Sequence, residues 1–289
     1  MLIIAGFFVI LSASSGCSAL RIGYSTAPDL VYWWLDGYVD LTATQTTRVR
    51  ESIAQWFAWH RHGQLPGYAA LLDKAQTEVV ADTTPTRVCE WQAEITQRAL
   101  QAFDRIVPDA AALTLTLTPK QLLVLERRYA KNNQEFRDDF LQPDMHRRAR
   151  QTLKRAVDRA EMLYGTLDDA QRVKIAEILT RSPFDPEVWL AERRQRQQDV
   201  LHMLRKIDAD GASLDQAEAA LRAQVRTLEV SPREAYRRYD EQLSVFNCAA
   251  AAAVHNLTTV AQRQTAAHRL AGWAGDLRAI AVAGEPVAH

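Results

Sequence analysis

Apolar residues recur at intervals of three and four through most of the chain, the period of a helix with one buried face. From Thr118 the stripe runs Leu122, Leu125, Tyr129, Phe136 and Phe140, with Asn132 and Asn133 filling its gap. From Asp144 it continues through Met145, Ala149, Leu153, Ala156, Ala160 and Leu163. From Glu187 it passes through Leu190, Val200, Leu201, Leu204 and Ile207, and from Pro232 through Tyr236, Tyr239, Leu243, Phe246, Ala250 and Val254. Alternation with period two is confined to Leu113-Thr-Leu-Thr-Leu117, which reads as a short extended linker.

Helix starts are marked chemically. Thr118-Pro119-Lys120-Gln121 places Thr at the N-cap, Pro in the first turn and Gln three residues on, the arrangement of a capping box. Ser231-Pro232-Arg233-Glu234 reads the same way. Pro143, Pro183 and Pro186 separate helices from one another. The pattern predicts an all-α, multi-helix bundle of roughly nine to eleven helices, over about 28–38, 45–62, 65–80, 85–107, 118–141, 143–165, 168–181, 185–208, 213–228, 231–257 and 259–282. Short connections predict antiparallel neighbours. Residues 17–289 read as a single helical domain with a looser division near 110–117.

The first residues differ. Leu2 to Leu11 is an apolar run, too short for a bilayer span of roughly 20 residues but of signal-peptide length. Small residues and then Cys17 follow it. This resembles a bacterial lipobox, although Ser14 stands where Leu is usual and no Lys or Arg precedes the run. The expectation is a signal peptide over 1–16 and a lipid on Cys17. Ser18 after the cysteine implies the outer membrane, facing the periplasm, with the membrane contacted through the lipid. Acyl chains contribute roughly 0.8 kcal/mol per buried CH₂, so several chains make such an anchor permanent.

Export bears on the two remaining cysteines. Cys89 and Cys248 form an even pair in an oxidising compartment, which favours a disulfide worth about 4–5 kcal/mol in the chain-entropy model. Two buried free thiols are the alternative.

Composition narrows the chemistry. Lys plus Arg equals Asp plus Glu at 35 each, which argues against general nucleic-acid binding. His60 and His62 flank Arg61, a spacing of two that points their rings apart on a helix, and Asp208-Ala-Asp210-Gly211 has its glycine out of place for a calcium loop. Gly211 reads instead as a helix stop before a Ser213 N-cap. No metal and no cofactor is expected. Cys248 and His255 lie two helical turns apart, too far for a nucleophile pair, and no catalytic constellation is found. The aromatic stretch Tyr32-Trp33-Trp34-Leu35-Asp36-Gly37-Tyr38, with Trp56, Phe57 and Trp59, reads as core, with a ligand groove or membrane-facing patch as the sharper alternative. Arg128, Asn132 and Asn133, set against Arg159 and Glu161 of the following helix, form a candidate polar groove, since buried asparagine needs partners.

Two stretches, Cys17 to Tyr24 continuing through Tyr32 to Tyr38, and Glu126-Arg-Arg-Tyr-Ala-Lys-Asn-Asn133 extending to Asp144, resemble a family of uncharacterised Gram-negative lipoproteins, domain of unknown function 6279. Arg159 to Gly165, Ser182 to Pro186 and Asn247-Cys248 extend the resemblance over nearly the whole mature chain. It implies the lipid anchor and brings no activity. Separately, Leu117-Thr-Pro-Lys-Gln121 is similar to the Leu-Thr-x-x-Gln motif of Spy- and CpxP-type periplasmic proteins, with looser copies at Leu167-Asp-Asp-Ala-Gln171 and Leu257-Thr-Thr-Val-Ala-Gln262. The expected function is a non-enzymatic envelope lipoprotein with an unknown protein partner. The alternative is a periplasmic chaperone-like or stress-adaptor module holding exported clients.

Overall fold

A computed structural model describes residues 16–283, with side chains from Ala19 onward. The expected signal segment therefore lies outside the described residues except for the Gly16 backbone, and the Cys17 side chain lies outside them too. The described chain forms eleven helices: α1 (Gly16–Val39), α2 (Ala43–Gly63), α3 (Leu65–Glu78), α4 (Pro85–Thr114), α5 (Pro119–Phe140), α6 (Met145–Tyr164), α7 (Asp169–Leu179), α8 (Pro186–Ala209), α9 (Leu214–Glu229), α10 (Glu234–Asn256) and α11 (Val260–Val282). The all-α bundle predicted from periodicity is what forms, with no strand among the described residues.

Helix α11 lies at the centre. Ala266, Leu270, Ala274, Asp276, Ile280 and Ala281 are buried on it, and α3 packs along it. Small side chains at Ala266 and Ala274 let the axes approach, and Leu65 of α3 fills the space beside Ile280 and Ala281. Helix α4 reaches α2, α9 and α10, with Ala111 packed against Ile207 and Ala217. The disulfide Cys89–Cys248 ties α4 to α10, with the Cα atoms 5.4 Å apart.

Three local expectations change. Helix α1 begins at Gly16 and runs through Pro28 instead of starting there. Proline in a helix interior costs about 3 kcal/mol; packing of α1 on α2, α5 and α11 offsets it. Helix α4 continues to Thr114, converting the start of the predicted extended linker into helix, because Leu113 packs against Val49, Ile53 and Phe57. Ser231 is not an N-cap. Helix α10 starts at Glu234 without a side-chain cap, and the buried Ser231 hydroxyl instead donates to Glu192 at 2.8 Å.

Four helix starts are joined in two matching pairs. Thr42 and Gln45 cap α2, and Thr118 and Gln121 cap α5, each as a reciprocal capping box. The two glutamine amides then bond each other, Gln121 Nε2 to Gln45 Oε1 at 2.8 Å and Gln45 Nε2 to Gln121 Oε1 at 3.3 Å. Each also donates to a carbonyl two residues before the other's cap: Gln45 to Thr116 at 2.9 Å, Gln121 to Asp40 at 3.1 Å. Asp40 holds φ at 54°, which turns that carbonyl inward; Asp tolerates this region better than most residues. At the other joint, Asp168 and Gln171 of α7 face Thr259 and Gln262 of α11. The amides pair at 2.7 and 3.0 Å, with Gln171 donating to Leu257 O at 2.9 Å and Gln262 to Thr166 O at 2.8 Å.

These are the strings read as Leu-Thr-x-x-Gln, with two refinements. A copy at Leu41-Thr42-Ala-Thr-Gln45 joins them, and the last copy is counted from the capping Thr259, with Thr258 in the place of Leu. The Ser213–Gln216 capping box leaves Gln216 exposed, so a capping box alone does not create such a joint. Gln45→Ala and Gln121→Ala should each lower stability by about 2 kcal/mol, since each strands a buried amide and weakens a cap. Together they should fall short of the sum by about 1 kcal/mol. Gln216→Ala is the control. Urea denaturation of the four chains decides it: additive losses would mean the two corners are energetically separate.

Candidate functional site

The residues of the predicted polar groove part into two surroundings. Arg128, Asn132 and Asn133 project from α5 toward α1 and α8. Asn132 Nδ2 donates to the Tyr38 hydroxyl at 2.6 Å, and the Arg128 guanidinium lies 5.3 Å from the Tyr38 ring centroid. Asn133, buried, exchanges amide bonds with Gln197 at 2.7 and 3.3 Å. Glu161 instead serves the α6–α7 corner, accepting from Leu167 N at 3.0 Å and Arg172 Nη2 at 2.9 Å. Its hydrogen bond from Leu167, against a smaller opposing effect of burial, holds the Glu161 carboxyl below the usual range. Arg159 is exposed. The five do not line one groove, because α6 packs on α7 and α11, whereas α5 packs on α1 and α8. Sequence adjacency of α5 and α6 suggested a pairing at Asn132 and Glu161; the two helices instead meet where α5 ends, with Arg155 over the Phe140 ring at 4.3 Å.

Around Tyr38 a different arrangement appears. Trp34 sits 4.6 Å from the Tyr38 ring, Tyr129 meets that ring edge-on at 6.3 Å, and Arg193 of α8 lies 5.4 Å from the Trp189 ring. Burial pushes the Arg193 pKa down and drives the Tyr129 hydroxyl up to about 12. Arg128 Nε is buried without a partner. Trp33 and Trp34 remain 61% and 43% exposed. The aromatic stretch is thus divided by helical phase. Tyr32 and Leu35 pack with Val49, Ile53, Phe57 and Trp56, as the core reading expected, while Trp33 and Trp34 face outward. The patch offers aromatic faces, cations and amide donors.

Other singled-out residues have structural surroundings. His60 stacks on Trp56 at 4.7 Å, and its Nδ1 lies 3.0 Å from the Tyr24 hydroxyl. Burial lowers its pKa to about 4, so the ring is neutral at pH 7. His62 is exposed. His255 donates from Nε2 to Ala81 O at 2.7 Å, which leaves Nδ1 to accept from Tyr164 at 2.8 Å. Gly211 has φ of 58° and ends α8 as expected, with Ser213 capping α9. No group of three or more His, Cys, Asp or Glu among the described residues is arranged to hold a metal ion.

A buried acid escaped the sequence reading. Glu192 on α8 is 5% exposed and accepts from Arg196 Nε at 2.7 Å, Arg233 Nε and Nη2 at 2.6 and 2.9 Å, and Ser231 at 2.8 Å. Arg233 also reaches Asp199 at 2.9 Å. Burial alone would raise the Glu192 carboxyl, but the bonds from Arg233, Arg196 and Ser231 outweigh it and hold the pKa at about 2. The Glu192–Arg196 spacing of four was visible in sequence; the approach of Ser231 and Arg233 was not. Both Glu192 oxygens are engaged by cations or a hydroxyl on the same chain, which makes the knot a fastening between α8 and the start of α10.

A family model described as "Family of unknown function (DUF6279)" matches residues 37–237. No curated protein and no solved structure matches the chain. The likeness to Spy- and CpxP-type proteins therefore rests on its short strings alone.

Proposed function

Because the chain belongs to this family of unknown function, its role has to be read from its own surface, and we propose that it is a non-enzymatic lipoprotein of the bacterial envelope. Lipid on Cys17 holds it to the outer membrane, on the periplasmic side, and it binds a protein partner through the face around Trp33, Trp34, Tyr38 and Arg128. One observation carries the partner reading. Two tryptophans stand exposed beside a tyrosine that Asn132 and Tyr129 already fix in place, with the Arg128 guanidinium over that tyrosine's ring. Trp, Tyr and Arg dominate the residues that supply binding energy in protein interfaces, and pre-fixed side chains lose less entropy on association. The short distance in sequence from Cys17 to this face keeps the partner near the membrane. The other large exposed apolar residues, such as Phe103, Val173, Val245 and Val260, are spread over many helices, which disfavours the chaperone-like alternative.

In-cell crosslinking from a photoreactive residue at Trp33 tests this. A single dominant partner is expected, its capture lost with Trp34→Ala, for which a weakening of about 2 kcal/mol, some 30-fold, is typical of an interface anchor. A broad smear of exported proteins would overturn the dedicated-partner reading in favour of client holding. Cys17→Ala should move the protein from the membrane to the soluble fraction; retention there would contradict the anchor.

A further inference from the structure

Between the end of α5, the first turn of α6 and the middle of α8 lies an open groove of about 830 Å³. Three helices each contribute a guanidinium to its lining: Arg137 from α5, Arg147 from α6 and Arg194 from α8. Salt bridges engage many other arginines of this chain, but among the described residues none of these three side chains has an ion-pair or hydrogen-bond partner. Their convergence is a product of tertiary structure, and it is a gathering of like charge in a chain of zero formal net charge. Like charges so placed repel, and an anion between them relieves that repulsion.

The same lining holds acceptors. Asp138, in the lining, accepts from Gln134 Nε2 at 2.9 Å through Oδ1, and its other oxygen has no partner among the described residues. Gln142 donates from Nε2 to the Asp138 carbonyl at 2.6 Å and to Gln151 at 3.0 Å. A carbonyl only accepts, so the orientation of the Gln142 amide is fixed, and its buried Oε1 is left with no donor. Asp144 caps α6, accepting from His146 N and Arg147 N at 2.9 and 3.1 Å, and the Arg147 charge also acts on it.

Three guanidinium groups without a hydrogen-bonded partner call for an anion that takes several forked bonds, which phosphate does. The Asp138 carboxylate in the same wall calls for hydroxyl donors and disfavours a ligand that is anionic along its whole length. A groove of this volume falls in the range for small-molecule sites, roughly 300–1,000 Å³. We propose that this groove binds a phosphorylated saccharide, with the phosphate on Arg137, Arg147 and Arg194 and sugar hydroxyls on Asp138. Free sugar phosphates and the head group of a phosphorylated glycolipid share this chemistry. The site shares no residue with the tryptophan face and does not depend on a protein partner.

Calorimetric titration of the purified mature chain with glucose 1-phosphate, inorganic phosphate and glucose tests it. Glucose 1-phosphate is expected to bind at least about ten-fold more tightly than inorganic phosphate, and glucose not to register, since charge-assisted bonds carry most of the affinity. Arg137→Gln, Arg147→Gln and Arg194→Gln should each weaken glucose 1-phosphate about ten-fold, whereas Arg181→Gln, on an exposed turn elsewhere, should not. Asp138→Ala should erase the preference over inorganic phosphate while leaving phosphate binding intact. Equal affinity for the two phosphates in the native chain, or indifference to the three arginine substitutions, would overturn the proposal. Phosphatidylcholine vesicles with and without a phosphorylated glycolipid then distinguish the source. Displacement of glucose 1-phosphate by the glycolipid vesicles alone assigns a membrane head group, and its retention in their presence assigns a soluble ligand.

Discussion

Replacing Cys89 and Cys248 together by alanine is expected to remove about 4–5 kcal/mol of stability, an amount comparable with the whole net stability of many domains. The two residues are 159 apart in sequence, so the bond closes most of the molecule into one loop. In the chain-entropy model the stabilisation grows with the logarithm of loop length, and a loop of this size lies near the top of the range. The pairing also brings the start of α4 against the middle of α10, where Cys248 is 1% exposed and is followed by a run of alanines. Loss of the cross-link should therefore act mainly on the unfolded state, leaving helix content in the folded state unchanged. Guanidinium unfolding followed by circular dichroism reads both quantities. A midpoint shift equivalent to less than about 1 kcal/mol would show that the unfolded chain gains little freedom on losing the bond. Native protein treated with a thiol reagent under denaturing, non-reducing conditions should take up no label at these two positions.

Removing the Glu192 carboxylate should cost about 3–5 kcal/mol, because it strands the buried ends of Arg196 and Arg233 together with the Ser231 hydroxyl. Glu192→Gln keeps the shape and removes only the charge, so it separates electrostatics from packing. The acid limb of stability carries the same signature. The Glu192 carboxyl sits at about 2 in the folded chain against an ordinary 4.5. Between those values the unfolded state binds the proton and the folded state does not, so stability rises with pH. The contribution of Glu192 is thus full above about 4.5 and is lost as pH falls toward 2. Stability measured from pH 6 to pH 3 should fall less steeply in Glu192→Gln than in the native chain, by up to about 1.4 kcal/mol per pH unit. Parallel curves would mean that the charge of Glu192 is not what holds α8 to the start of α10.

Both effects arise from contacts between helices remote in sequence, and the same division runs through the whole molecule. Helix number, type and most boundaries were legible from the order of residues, because helical hydrogen bonds and caps are local and a buried stripe repeats with the helix's own period. Thr118 with Gln121 and Ser213 with Gln216 fix their helix starts through bonds spanning three residues, so the string alone suffices. Pro28 and Leu113 were misread where packing by other helices overrode a local preference of a few kcal/mol. The separation of Glu161 from Asn132, the burial of Gln45 against Gln121, the outward turn of Trp33 and Trp34, and the meeting of Arg137, Arg147 and Arg194 were decided by tertiary structure. Each depends on which helix faces which, and that choice is set by summed apolar burial and shape over the whole bundle. A chain whose helices are all amphipathic announces that each will bury a face; the partner of each face is a property of all eleven together.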